Sequence, residues 1–199
     1  ILTILKNDLI SIKDKELLFD LVEFLVTSFH ESSSPYINKI LLIAQPYLTS
    51  NYLSVKEKVI NTIKSLARIA GLNQMIHFMQ DDCKDDNEYV RRVWVYTLVL
   101  LAKEFGIKSL LPFLNDFIRS DKRQIRHTAI QIIYQIIKQL GQDEQILSNM
   151  KSFIDILIYG LNDNDYANGT LSALCISNLA LFTDDVSYFE NLIDPLWSG

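Results

Sequence analysis

Three basic residues, Lys56, Arg91 and Arg126, recur at intervals of 35 along this chain. A cation repeated at fixed spacing can meet phosphate oxygens or the carboxylates of a partner. It can also tie down the polar connector just ahead of it, as Arg91 would with Asp85. Charges at helix starts are usually local, so the connector reading is preferred, and the two are compatible. Arg119, Lys122, Arg123, Arg126 and His127 form the densest basic cluster. A solvated turn explains most such runs. Sharing one edge with Arg91 and Arg92, the cluster would instead follow a nucleic-acid strand without reading its bases.

Other reactive residue types fall short of a site. The acidic run from Asp81 to Glu88, DDCKDDNE, lacks the glycine and the carboxylate spacing of a calcium loop. Acids ahead of a helix N-terminus are expected from the macrodipole, so no metal is assigned. His30, His77 and His127 are mutually isolated, and no Ser/His/Asp, Cys/His or phosphate-cradling glycine pattern occurs. The expectation is a protein that is not an enzyme and needs no cofactor. Cys83 and Cys175 show neither zinc nor disulfide spacing, which suits a reducing compartment. A net charge of -5 argues against gripping nucleic acid by bulk electrostatics and leaves only a local patch. Apolar runs such as Val93 to Ala102 end well before the roughly 20 residues of a membrane span. The opening ILTILKNDL, without a methionine, reads as a piece cut from something longer.

The elements that must position these residues repeat as well. Apolar residues at Val90, Trp94, Thr97, Leu98, Leu101, Ala102 and Phe105 mark one face of a helix. The same offsets 35 residues earlier are Val55, Val59, Thr62, Ile63, Leu66, Ala67 and Ala70. Those 35 later are Ile125, Ala129, Ile132, Ile133, Ile136, Ile137 and Leu140. Gly71, Gly106 and Gly141 keep the interval, each where a left-handed C-terminal cap favours a residue without Cβ. Such a period in a helical pattern predicts an all-α solenoid of antiparallel helix pairs.

In order, the pattern predicts helices over Ile1 to Ile10, Asp14 to Phe29, Pro35 to Thr49 with a bend at Pro46, Tyr52 to Ala70 and Leu72 to Met79. Those that follow begin near Val90, then run over Ile107 to Ile118, Asp121 to Leu140, Ile146 to Tyr159 and Thr170 to Phe182. Val186 to Trp197 begins another. The chain is therefore one solenoid segment of five pairs, 1–33, 34–70, 71–105, 106–141 and 142–183, plus the start of a sixth, 184–199. The fifth long helix keeps the repeat only from Ser172 onward, and Asn168 and Gly169 predict a late or frayed start there.

A proline in the first helix of a pair, an Asp-bearing connector and a Val-Arg start to the second helix resemble HEAT repeats. YINKILLIAQPYL, ARIAGLNQMI, DNEYVRR, GIKSLLPFL, RHTAIQIIYQI and DPLWSG, in order from Tyr36 to Trp197, resemble the HEAT-repeat large subunits of splicing factor 3b. The resemblance implies a nuclear scaffold for pre-mRNA splicing that helps clamp the duplex of U2 snRNA and intron at the branch site. Its implied partners are the other splicing factor 3b subunits, U2 snRNA, intron pre-mRNA and spliceosomal helicases, and no membrane. It also implies RNA or partner contacts at the starts of the second helices, for which the candidates are Glu88, Arg91, Arg92, Lys122, Arg123, Arg126, His127 and Gln131. The chain departs from the family at Gln131, where a lysine is usual, and at Ala167 to Gly169, where Lys-Val-Arg is usual. The competing reading is a HEAT scaffold for nuclear transport or phosphatase assembly.

Overall fold

The computed structural model describes residues 1–5, 7 and 9–192. Among them the secondary structure is helical without a strand, an all-α fold of the helical-repeat solenoid class. The chain forms two compact units, Ile1–Glu104 and Phe105–Gly199. The first holds α1 (Leu2–Leu5), α2 (Ile12–Phe29), α3 (Ile37–Ala44), α4 (Leu53–Ala70), α5 (Leu72–Met79) and nearly all of α6 (Glu88–Phe105). In it α2 packs along α4, and α3 with the 3-10 segment Gln45–Thr49 packs on α4 as well. The second holds α7 (Ile107–Ile118), α8 (Arg123–Leu140), α9 (Glu144–Ser148), α10 (Met150–Leu161) and α11 (Tyr166–Ala180). There α10 packs on α7 and α11, and α8 packs on α7 and α11.

The repeated apolar offsets are the core of each unit. Val59, Ile63, Leu66 and Ala67 of α4 are wholly buried, as are Trp94, Leu98, Leu101 and Ala102 of α6 and Ala129, Ile133, Ile136 and Ile137 of α8. Burying a side chain of this size contributes about 1.5–3 kcal/mol, so each helix is held chiefly by this stripe. Thr62 and Thr97, at one shared offset, are buried because each hydroxyl donates to the carbonyl four residues back, Lys58 and Val93 at 3.0 Å. Thr97 also accepts from Gln45 Nε2 at 3.4 Å, tying the 3-10 segment to α6.

Pairs about one repeat apart link neighbouring helices within a unit. Lys58 Nζ lies 2.8 Å from an oxygen of Asp20, Arg68 Nε 2.6 Å from Glu104, and Ser54 bonds Glu16. The three periodic glycines have positive φ, 77° at Gly71, 83° at Gly106 and 57° at Gly141. Their ψ values of 159°, 146° and -128° lie outside the ordinary left-handed helical well. That backbone region is almost closed to residues with Cβ, a stronger demand for glycine than the simple cap expected from sequence.

Several predicted boundaries shift for local reasons. The first helix is one turn, Leu2–Leu5, rather than Ile1 to Ile10. The helix expected from Pro35 to Thr49 divides into a 3-10 turn, α3 and a second 3-10 segment at Pro46, because proline supplies no N–H to the turn before it. Ile146 to Tyr159 is two helices. Asn149 takes φ -112° and donates its side-chain amide to the Gln145 carbonyl at 2.8 Å, which ends α9 and starts α10. Cys175, Ile176 and Leu179 of α11 are buried as the repeat predicts, but Ala180 is exposed. Of the expected sixth pair, Val186–Leu192 is a 3-10 segment, and Pro195 and Trp197 lie outside the described residues.

Candidate nucleic-acid and partner interface

Two of the three periodic cations do the same local work. Arg91 Nη1 donates to the carbonyls of Asp85 and Asp86 at 2.5 and 2.8 Å. Arg126 Nη1 donates to those of Ser120 and Asp121 at 2.9 and 3.0 Å. In both repeats the acceptors lie six and five residues before the arginine, so a planar guanidinium closes the connector onto the start of its helix. The expected pairing of Arg91 with Asp85 exists, made to the backbone rather than to the carboxylate. Lys56 is half-buried and has neither such a bond nor an ion pair among the described residues.

In the first unit, Glu88 is exposed in the first turn of α6, and Arg91 is oriented by the two carbonyls rather than by Glu88. Arg92 is exposed, its guanidinium 5.7 Å from the centre of the Tyr89 ring. Tyr89 Oη donates to the Pro46 carbonyl at 3.2 Å and shares a 2.9 Å hydrogen bond with Thr49. These contacts hold the ring, and with it the cation, against the 3-10 segment.

In the second unit the basic cluster meets the next connector. Arg126 grips Asp163 with two hydrogen bonds, Nε at 2.6 Å and Nη2 at 2.9 Å, and Arg123 pairs with Asp165. Arg119 stacks 4.1 Å from the centre of the Tyr159 ring. Asn168, wholly buried, donates to Asp163 at 2.8 Å and lies 2.7 Å from His127 Nδ1 through its carbonyl oxygen. Gln131 Nε2 is 3.0 Å from His127 Nε2. The consistent assignment has the Gln131 amide donating to Nε2 and the His127 Nδ1–H donating to Asn168. Lys122, at the N-cap of α8, is exposed and makes no ion pair among the described residues.

This network corrects the expectation of a frayed α11. The helix starts at Tyr166, its N-cap Asp165 accepting from the Asn168 N–H at 3.2 Å, and Asn168 anchors the first turn through its side chain. Asp163, with a side chain 2% exposed, is held well below the usual carboxylate range, first by Arg126 and then by the Asp165 N–H and the Asn168 amide, against the opposing effect of burial. Asp165 is lowered too; burial opposes the shift, and the Arg123 and Asn168 hydrogen bonds outweigh it. Sequence reasoning missed Asp163, Asp165 and Asn168 as partners. The available signal was Asp163, 37 residues after Arg126 and so close to one repeat on.

The arrangement offers fixed positive charge and hydrogen-bond donors. No group of three His, Cys, Asp or Glu among the described residues is placed to hold a metal. Burial pushes the Cys175 thiol up to about 12 and raises Cys83 as well, which keeps both as thiols. No described helix is long and apolar enough to cross a membrane.

No protein-family model matches the chain. It is 31% identical over 202 residues to the U2 snRNP component prp10 of Schizosaccharomyces pombe, covering 100% of this chain and 17% of that protein. It is 28% identical over 93 residues to the U2 snRNP component HSH155 of Saccharomyces cerevisiae, covering 47% of this chain and 10% of that protein. The chain thus spans less than a fifth of the length of these relatives. An engineered protein of known structure aligns over 98% of the chain with a TM-score of 0.44 and 16% identity, too distant to add to the argument.

Proposed function

We propose, from the premise that this chain belongs to the family of the splicing factor 3b large subunit, that it acts in the nucleus as a non-enzymatic scaffold within U2 snRNP, supporting branch-site recognition. The observation that carries this reading is the 31% identity to a U2 snRNP component along the whole chain. The fold suits the role. Stacked helix pairs interact mainly with their neighbours, so small changes at each junction add up to a change in curvature. Such a stack positions RNA and protein partners without chemistry of its own.

The contact edge we assign to this role is the start of the second helices. Glu88, Arg91 and Arg92 form it in the first unit, and Lys122, Arg123, Arg126, His127 and Gln131 in the second. Arg92 and Lys122 present exposed positive charge that no carboxylate pairs among the described residues. Arg126 shapes the edge through its bonds to Asp163 of the next connector, and His127, bonded to Gln131, through Asn168 of α11. Partners would be the other splicing factor 3b subunits, U2 snRNA, intron pre-mRNA and spliceosomal helicases. The pair boundaries 1–33, 34–70, 71–105, 106–141 and 142–183, with a sixth from 184, are the repeat units of this scaffold.

The test is affinity capture of the tagged protein from nuclear extract, with the eluate probed for U2 snRNA and splicing factor 3b subunits. Their enrichment over an untagged control is the expected result. Transport cargo or phosphatase subunits in their place would overturn the reading.

A further inference from the structure

In the second unit Arg123 and Arg126 are paired with Asp165 and Asp163 and Arg119 is stacked on Tyr159, whereas neither Lys56 nor Arg92 of the first unit has a carboxylate partner among the described residues. Lys56 and Arg92 make no ion pair among the described residues and line one notch of about 260 Å³ with Ser50 and Tyr96. The notch adjoins a larger cavity of about 620 Å³ walled by Leu42, Pro46, Tyr47 and Tyr89. Thr49 and Ser50 line both, so the 3-10 segment and the turn after it form their common rim. No carboxylate lines either cavity, in a chain whose net charge is -5.

We propose that this double cavity is a binding site for one nucleotide unit of a single-stranded nucleic acid, its phosphodiester between Lys56 and Arg92 and its base in the larger cavity. The smaller space has what a phosphate needs, two positive charges and the hydroxyls of Ser50 and Tyr96 as donors. The larger has what a base needs, apolar and aromatic walls with a polar rim at Thr49, Ser50 and Asn51. A phosphoserine would use the charged notch but carries no planar ring of its own for the second space. Tyr89 joins the two halves. It lies under Arg92, is bonded to Thr49 and Pro46, and remains 41% exposed at the cavity wall.

The sequence explains why a charge is left in this notch. At the position where Arg91 and Arg126 turn back onto their connectors, this repeat has Lys56, whose ammonium makes no bond to its connector among the described residues. Its charge is left for a ligand. The proposal rests on the splicing-scaffold reading only for the identity of the strand as RNA.

The test measures binding of a fluorescein-labelled oligouridine ten residues long by anisotropy, from low to moderate salt, with the corresponding oligothymidine in parallel. The proteins compared are the wild-type chain, K56Q/R92Q, K56R/R92K and K108Q/K151Q, the last removing two exposed lysines of the second unit. Losing two phosphate-facing cations should weaken binding about tenfold at low salt and flatten the slope of log K against log salt by about 1.4; K108Q/K151Q should stay near wild type, and K56R/R92K, whose guanidinium at position 56 can turn back onto its connector, should lose part of the affinity. Wild-type binding with K56Q/R92Q unchanged in slope and affinity overturns the site and leaves the splicing reading intact. Tighter binding of the thymidine strand overturns its assignment to RNA. Absence of binding to both strands, or Arg92-dependent binding of a phosphoserine peptide instead, overturns the proposal, and U2 snRNA capture then judges the splicing reading separately.

Discussion

Removing Asp163 should undo more than one contact. Its carboxylate accepts from Arg126 twice, from the Asp165 N–H at 2.9 Å and from the Asn168 amide at 2.8 Å. Asp163→Ala leaves Arg126 facing an empty acceptor and a buried Asn168 with an unmet donor. Breaking a buried ion pair from one side costs about 3–5 kcal/mol. The Arg126 side chain is 22% exposed, so water takes up part of the loss and about 2–4 kcal/mol is expected. Urea unfolding followed by circular dichroism measures it, and a double-mutant cycle with Arg126→Met isolates the pair. The double variant should recover about 1–2 kcal/mol of the summed single losses, not all, because Arg126 also holds the Ser120 and Asp121 carbonyls. Acid supplies a second reading. Asp163 titrates below the ordinary 3.8 in the folded chain, so its stabilisation is complete above that value and fades as pH falls from about 4 toward the folded value. Asp163→Ala should therefore flatten the acid limb of the stability curve. A loss below about 0.5 kcal/mol, or strict additivity with Arg126→Met, would refute the reasoning.

Other substitutions test the packing and the edge. A Cβ at Gly160 would stand 2.1 Å from Ser172 Oγ and 3.0 Å from Ile130 Cδ1, so Gly160→Ala should lose about 1–3 kcal/mol by overpacking, read as a lower urea midpoint. Ser172 Oγ is buried without a hydrogen-bond partner, so Ser172→Ala should gain about 1 kcal/mol in the same assay and relieve part of the Gly160→Ala loss. Alanine in place of two other glycines should act with opposite signs in thermal unfolding. At Gly71 the space is open but φ is +77°, so about 1–3 kcal/mol is lost, whereas in α11 Gly169→Ala meets only ordinary contacts at 3.6 Å and gains up to about 1 kcal/mol. Arg91→Ala should shift partner or branch-site selection in a splicing assay while costing only about 1 kcal/mol of stability. Equal losses of fold and function would count against a contact role.

The periodic part of the fold was legible because burial repeats with the helix. The offsets chosen from apolar spacing coincide with the buried stripes of α4, α6 and α8 except at Val90 and at the last offset, where Ala70, Phe105 and Leu140 are half-buried, and the ends of α5 and α7 match the residues predicted. Breaks inside helices were harder to see. Proline at 46 announced a bend, but the division at Asn149 depends on a side chain choosing a carbonyl over solvent, which spacing does not reveal. The site was legible in residue type and not in use. Arg91 and Arg126 were visible as a repeated charge, yet both turn inward onto carbonyls, and Lys56, their counterpart, lines a notch that no motif announces.

By itself the sequence determined the class of fold, the place of the second helices, the glycines between pairs and the family, since these follow from local periodicity and from residues read one at a time. Tertiary structure decided which charges are spent. Whether a guanidinium meets a carbonyl, a carboxylate one repeat on or open solvent depends on how neighbouring helix pairs are set against each other. That setting makes Asp163 and Asn168 the partners of Arg126 and His127, starts α11 where composition predicts fraying, and leaves Lys56 and Arg92 unpaired beside an aromatic cavity.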